Sequence, residues 1–134
     1  MKLWKGRFST RLHPEALRFS SSLEIDKRLY EEDIKGSLAH VAMLARQHII
    51  HPRDGRKIQQ VLHAIRREIK SGRLSMTPRD GQRYVAEDIH MAIENRLTQK
   101  LGDRGGKLHT ARSRNDQIAL DERLFLRQII QSLA

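Results

Sequence analysis

Apolar side chains recur along this chain at three- and four-residue spacings, and no stretch alternates in the manner of a strand. The pattern predicts an all-α protein. The cleanest helix runs over residues 53–70, where Ile58, Val61, Leu62, Ile65 and Ile69 share one face and charge covers the other. Gly72 stands where a C-terminal cap belongs. A further helix is expected from Ala86 to Leu101, with Ile89, Ile93 and Leu97 inside and Gly102 just past its end. Upstream, Asp26 is a candidate cap for a long helix whose face carries Leu29, Ile34, Leu38, Val41, Ala42, Ala45 and Ile49, with Pro52 ending the segment. Gly36 interrupts that helix at a cost of ~1 kcal/mol relative to alanine, and a mid-helix glycine permits another backbone to pack closely. Pro14 suits the first turn of a short helix reaching about Ser22. Met1–Leu12 reads as an arm anchored by Trp4 and Phe8, and Ser71–Arg83 and Asp103–Leu108 read as loops.

From Ile118 to Ala134, ten of 17 positions are apolar, so this helix is apolar on most sides and belongs inside a bundle. Ile118, Ala119, Phe125, Leu126, Ile129, Ile130 and Leu133 form a wide stripe, with Leu120 and Leu124 outside it. The sequence stops at Ser132-Leu133-Ala134 without a cap residue, glycine or proline. The expectation is a helix cut in mid-course; a frayed terminal helix docking on its own domain is the plainer alternative.

Between the last two helical patterns lies Lys107-Leu-His-Thr-Ala-Arg-Ser-Arg-Asn-Asp-Gln117, just after Gly105-Gly106. Ser113 followed three positions later by Asp116 has the spacing of a capping box. A helix is therefore expected to start near Ser113, presenting unpaired N–H groups and a partial positive charge at its entrance. Arg112 and Arg114 add forked guanidiniums matched to carboxylates, and Asn115 donates and accepts beside them. These residue types suit a pocket for a small polyanion; a solvated, basic helix cap accounts for the same local features.

Composition narrows the field. The chain has 134 residues, enough for one modest domain, with 38% apolar and 31% charged positions. Lysine and arginine number 26 against 16 acids, a formal charge of +10. That excess raises nucleic acid as a partner. The basic residues are spread from Lys2 to Arg127, however, and aromatics are only 4%, so a solvated surface is the favoured reading and no nucleic-acid partner is expected. With no cysteine, disulfides and thiolate metal sites are excluded, and the seven histidines show no ligand spacing that calls for a metal. No apolar run is long enough to span a bilayer, and the start Met-Lys-Leu-Trp-Lys-Gly-Arg lacks the apolar core of a signal peptide. No membrane association is expected, and the default compartment is the cytoplasm.

The run HTARSRNDQ resembles the signature of the argininosuccinate lyase family, which includes the δ-crystallins, within the fumarase/aspartase superfamily. Other blocks resemble the same family in order: LWKGRF at Leu3–Phe8, Phe19–Asp26 with Arg28-Leu29, Asp33–His40, and Glu87–Glu94. The resemblance covers nearly the whole chain but only the N-terminal portion of that family, whose members are several times longer. It implies an all-α fold, with 1–112 as an N-terminal helical domain and 113–134 as the start of a central bundle helix. It also implies cleavage of argininosuccinate to arginine and fumarate by β-elimination in a cytoplasmic homotetramer, without a cofactor.

By the same resemblance Ser22 matches a serine that contacts substrate, with Asp26 in the same segment. Arg114 and Asn115 match positions that bind a substrate carboxylate, and Arg112 is a weaker match that could instead hold the loop to an acid. Asp88 and His90 match the EDIH run. Their spacing of two separates them within a helix, but near its start both can reach one cleft. His90 suits charge tuning near neutral pH; a polar surface histidine is the plainer reading. His109 is expected to be structural. The family's catalytic base and acid lie in downstream segments absent from this sequence, and its active sites draw on three subunits. No catalytic residue is therefore expected in this chain, and the chain alone is expected to be inactive.

Two positions depart from the family pattern. Lys5 replaces the first glycine of GGRF, and Ala111 replaces the glycine of HTGRSRND. If that second glycine position has a positive φ, alanine costs on the order of 1–2 kcal/mol there. Two other readings compete with the enzyme part: a non-enzymatic or lens-type remnant of the same descent, and a small basic helical module that binds nucleic acid.

Overall fold

The computed structural model describes residues 13–73 and 86–133, and every regular element within them is helical. The arm at Met1–Leu12, with Trp4, Lys5 and Phe8, and residues 74–83 of the expected loop lie outside the described residues. Helix α1 is Pro14–Ser20, in line with the first-turn proline. The short helix α2, Leu23–Asp26, and a 3₁₀ turn at Lys27–Leu29 lead into helix α3, Tyr30–Arg46.

Asp26 does not cap α3, which follows Leu29 and has no side-chain cap. The helix also stops earlier than expected. His48 turns the chain with φ of 56°, and Pro52 opens the next helix instead of closing this one. The physical reason is local: proline at the first helical position loses no hydrogen bond, and the His51 imidazole accepts from the backbone N–H of Arg53 at 3.1 Å. Leu44 and Ile50 consequently fill the core, while Ile49 faces out.

Helix α4, Pro52–Lys70, follows its sequence pattern closely. Ile58, Leu62 and Ile65 are fully buried, with Val61 and Ile69 packed beside them. It ends in a Schellman turn. The N–H of Arg73 bonds to the Glu68 carbonyl and that of Gly72 to the Ile69 carbonyl, both at 2.9 Å, with Gly72 at φ 68°. Helix α5, Ile89–Leu101, buries Ile89, Ile93 and Leu97 against α3 and α4 and ends at Gly102.

Asp103–Leu108 is not a loop. It forms a one-turn helix α6, Asp103–Gly106, followed by a 3₁₀ turn at Lys107–His109 that buries Leu108. Glycine is required in α6: a Cβ on Gly105 would lie 2.9 Å from the Cα of Thr98 on α5. Two ion pairs tie this corner to α4, with Lys107 Nζ 2.5 Å and Arg104 Nε 3.5 Å from the Asp54 carboxylate.

Helix α7, Arg114–Leu133, packs its N-terminal half on α3. Gly36 permits the approach, since a Cβ there would meet Leu120 Cδ2 at 2.9 Å. The buried positions on α7 are polar, Gln117 and Asp121, and Leu124 continues that face. The expected apolar stripe is largely on the outside, with Leu126 56%, Ile130 64% and Leu133 82% exposed. Ile118 and Phe125 are half-buried, and Phe125 and Ile129 line a shallow pocket with Arg28, Glu31 and Glu32. The inner face goes to the polar groups because Gln117 bonds to the Asp33 carboxylate on α3 and Asp121 sits beside the His90 imidazole on α5.

Candidate functional site

Segments far apart in sequence meet at the first turn of α5. The backbone N–H groups of Ser22 and Leu23 donate to the Glu87 carbonyl at 2.9 and 3.1 Å, and the Ser21 hydroxyl donates to it at 3.1 Å. Asp26 has two tasks. Its Oδ1 accepts from the Ile89 N–H at 3.0 Å, and its Oδ2 accepts from the Ser22 hydroxyl at 2.6 Å. Asp88 caps the same helix by accepting from the Met91 N–H at 2.6 Å. Two carboxylates thus satisfy donors that the helix start leaves free, where the helix dipole favours negative charge. Ser22 is exposed and its hydroxyl proton is committed to Asp26, which leaves the oxygen to act as an acceptor.

Arg114 lies across this turn from α7. Its guanidinium makes two parallel bonds to Glu94, both 3.1 Å, and a third to Gln117 Oε1 at 2.6 Å. Its Nε stands 3.8 Å from Asp88 Oδ2 and is buried without a hydrogen bond. Both members of the Arg114–Glu94 pair are close to 90% buried. The fork matched to a carboxylate on sequence grounds is therefore closed on a carboxylate of the protein itself. His109 approaches the same Glu94 at 3.3 Å. Arg112 donates to the Ser37 hydroxyl at 2.9 Å and so fastens the signature loop to α3.

Asn115 differs from these. Its side chain is exposed on the first turn of α7 and has no hydrogen-bond partner among the described residues. The spacing of Ser113 and Asp116 produces a cap: the Ser113 N–H donates to Asp116 Oδ2, while the Ser113 hydroxyl accepts from the N–H of Asn115, the second helical residue, each at 3.2 Å. Ala111, just before, has φ of 53°, the left-handed conformation in which a glycine would be unstrained. His40 on α3 bonds the Thr110 carbonyl at 3.0 Å. Burial holds that imidazole below its ordinary pKa, against the pull of this bond and with help from Arg112 and His109.

His90 turns inward, so the surface reading of this residue is corrected. Its Nδ1 lies 3.4 Å from Asp33 Oδ1 on α3 and 3.5 Å from Asp121 Oδ2 on α7, and all three side chains are 0–2% exposed. Gln117 donates its amide to Asp33 Oδ1 and accepts from Arg114, so the buried trio is tied to the outer site. Burial works against a charged His90, but the Asp33 carboxylate, with Asp88, outweighs it and raises the imidazole pKa. Asp121 is pushed up to about 7, by burial first and the Asp33 charge second, against His90 and Arg112. Atoms of Asp33, His90 and Asp121 lie within 4.8 Å of one another, a spacing that also suits a metal ion. The Gln117 amide pointing into Asp33 and the closure of the trio to solvent fit a proton better than an ion.

Sequence reasoning picked out Ser22, Asp26, Asp88, His90, Arg112, Arg114 and Asn115 but passed over their partners. Glu94 and Asp33 stood inside family-like runs without an assigned role. Gln117 and Asp121, four apart on one helix face, give no periodic signal, because the apolar stripe of α7 dominates the pattern.

The sequence as a whole is similar to known proteins. A family model described as "Lyase" matches residues 6–134. The chain is 51% identical over 128 residues to the argininosuccinate lyase of Carboxydothermus hydrogenoformans, covering 96% of this chain. It is 48% identical over 133 residues to that of Moorella thermoacetica, covering 99% of this chain, and 47% identical over 132 residues to that of Syntrophus aciditrophicus, covering 98%. In each case the chain spans 27% of the relative's length. The chain belongs to the lyase family and corresponds to an N-terminal portion of the argininosuccinate lyases.

Proposed function

We propose that this chain forms the substrate-anchoring side of an argininosuccinate lyase site, with Asn115 as the donor to a substrate carboxylate and Ser22, whose proton is held by Asp26, as a substrate contact that accepts from an N–H group. The observation that supports it most is the assembly at the start of α5: Asp26 orients the Ser22 hydroxyl, while Arg114, gripped by Glu94, sets the first turn of α7 from which Asn115 projects. Asp26, Asp88, Arg112 and Arg114 act as positioning residues in this reading, because each is occupied by the protein. His90 supports them from beneath.

The reaction is a β-elimination. A general base removes the proton from the carbon next to a carboxylate, the carbanion is held as an aci-carboxylate, and a general acid protonates the departing guanidinium nitrogen, giving arginine and fumarate. Hydrogen-bond donors aimed at that carboxylate stabilise the charge as it develops. Asn115 supplies such a donor. The base and acid come from segments that this sequence does not contain, so the site is completed by further polypeptide, in a homotetramer of the family's kind, in the cytoplasm and without nucleic acid. No helix among the described residues is long and apolar enough to cross a membrane.

The test is complementation. The 134-residue chain alone should release no fumarate from argininosuccinate, and mixing or co-expressing it with the remaining portion of a related lyase should restore release. Turnover by the chain alone, or none with a partner that assembles with it, would overturn the proposal.

A further inference from the structure

The trio of Asp33, His90 and Asp121 joins α3, α5 and α7 at one buried point, and its hydrogen-bond inventory does not close. Asp33 Oδ2, His90 Nδ1 and both oxygens of Asp121 are buried without a hydrogen bond. One imidazole N–H faces two carboxylates at nearly equal range, 3.4 and 3.5 Å, and can satisfy only one. Even with His90 charged, two carboxylates leave the trio negative. A buried carboxylate without a donor is strongly disfavoured. Gln117 serves Asp33, not Asp121. The charged groups facing the trio are Asp88 from α5, Arg114 from α7 and Arg112 from the preceding turn. Both arginines are bound elsewhere, to Glu94 and to Ser37.

We propose that Asp121 is held as a neutral carboxylic acid in this cluster, and that its proton is a pH-sensitive latch fastening α7 to α3 and α5. The added proton brings a trio with charged His90 to neutrality and gives Asp121 an O–H to direct at Asp33. Its loss leaves two buried carboxylates repelling each other across the helix junction. Gln117 links the latch to Arg114, so opening it disturbs the turn that carries Asn115. That last consequence rests on the functional reading above; the latch itself does not.

The direction of the pH effect follows from linkage. Unfolded, Asp121 titrates in the ordinary carboxylate range; folded, it is pushed up to about 7. Between those values unfolding releases a proton, so stability falls as pH rises, by at most about tenfold in the unfolding constant per pH unit, and levels off above the folded value. The raised His90 extends the loss on the alkaline side. Asp54, held low by Lys107, and Glu68, held low by Arg96 and Lys100, act oppositely, losing stability as pH falls through the acid range.

Denaturant unfolding of the chain and of Asp121→Asn, compared across pH, tests the latch. Asparagine keeps the shape, is always neutral and can donate. The ratio of the two unfolding constants should change by about tenfold or more between about pH 5 and 7, with the wild type losing ground as pH rises. A constant ratio would overturn the proposal, including the case in which the variant is merely weaker at every pH. If Asp121→Asn does not fold, carbon NMR of the Asp121 carboxyl in the wild-type chain decides. Titration near neutrality supports the latch, and titration in the ordinary carboxylate range refutes it. Neither measurement involves argininosuccinate, so failure here is distinct from failure of the proposed function.

Discussion

At the scale of single residues, two positions separate strain from support. Ala111 holds a left-handed conformation at φ 53°, which a side chain with a Cβ adopts at a cost of about 1–2 kcal/mol. Glycine is more flexible when unfolded and returns part of that gain. Ala111→Gly should therefore stabilise the chain by about 0.5–1 kcal/mol in denaturant unfolding, and a loss of stability would show that the turn is not strained there. The Arg114–Glu94 pair is a case of support. Removing one partner of a largely buried pair leaves the other charge unmatched, so Glu94→Ala should cost about 3 kcal/mol by the same measurement. An unchanged midpoint would mean that the clamp contributes nothing to holding α7 on α5.

At the scale of elements, glycines tell which helix contacts are rigid. A Cβ on Gly105 would press on the backbone of Thr98 and Leu97, which cannot give way, so Gly105→Ala should destabilise by roughly 1–3 kcal/mol. A Cβ on Gly36 would press on the far end of the flexible Leu120 side chain and touch Asp121 and Arg112 only at ordinary contact distance, and alanine favours the helix by ~1 kcal/mol. Gly36→Ala should be close to neutral, and thermal melts of the two variants should differ accordingly. Helix identity was legible in the sequence because α4, α5 and the cap of α7 each follow one strong local rule. Boundaries were less legible where rules compete. Pro52 reads equally as a helix end or a helix start, and His51 decides between them only through its side-chain bond to Arg53. The site was legible in its motif residues but not in their roles. Arg114 looks open in sequence, and nothing local says that Glu94, twenty residues earlier, closes its fork. The inner face of α7 was misjudged for a related reason: Gln117 and Asp121 are buried by partners on other helices, which periodicity cannot see.

At the scale of the whole molecule, the exposed stripe of α7 and the proposed function point the same way. Leu126, Ile130 and Leu133 stand largely in solvent, and burying a leucine-sized side chain is worth roughly 1.5–3 kcal/mol. The isolated chain should therefore self-associate in sedimentation, and replacing these three residues with glutamine should return it to a monomer; a wild-type chain that stays monomeric at high concentration would count against an interface on this face. In the proposed function, Asn115 meets a substrate carboxylate in a site finished by other polypeptide. That contact is tested most directly by kcat/KM for fumarate release in the complemented assembly, with and without Asn115→Ala. Because Asn115 is exposed and its side chain bonds to nothing among the described residues, the variant should fold and assemble normally. Losing a hydrogen bond to a charged group should lower kcat/KM by about ten- to 150-fold. Near-native kcat/KM in a fully assembled variant would contradict the claim and leave the signature turn as a helix cap alone.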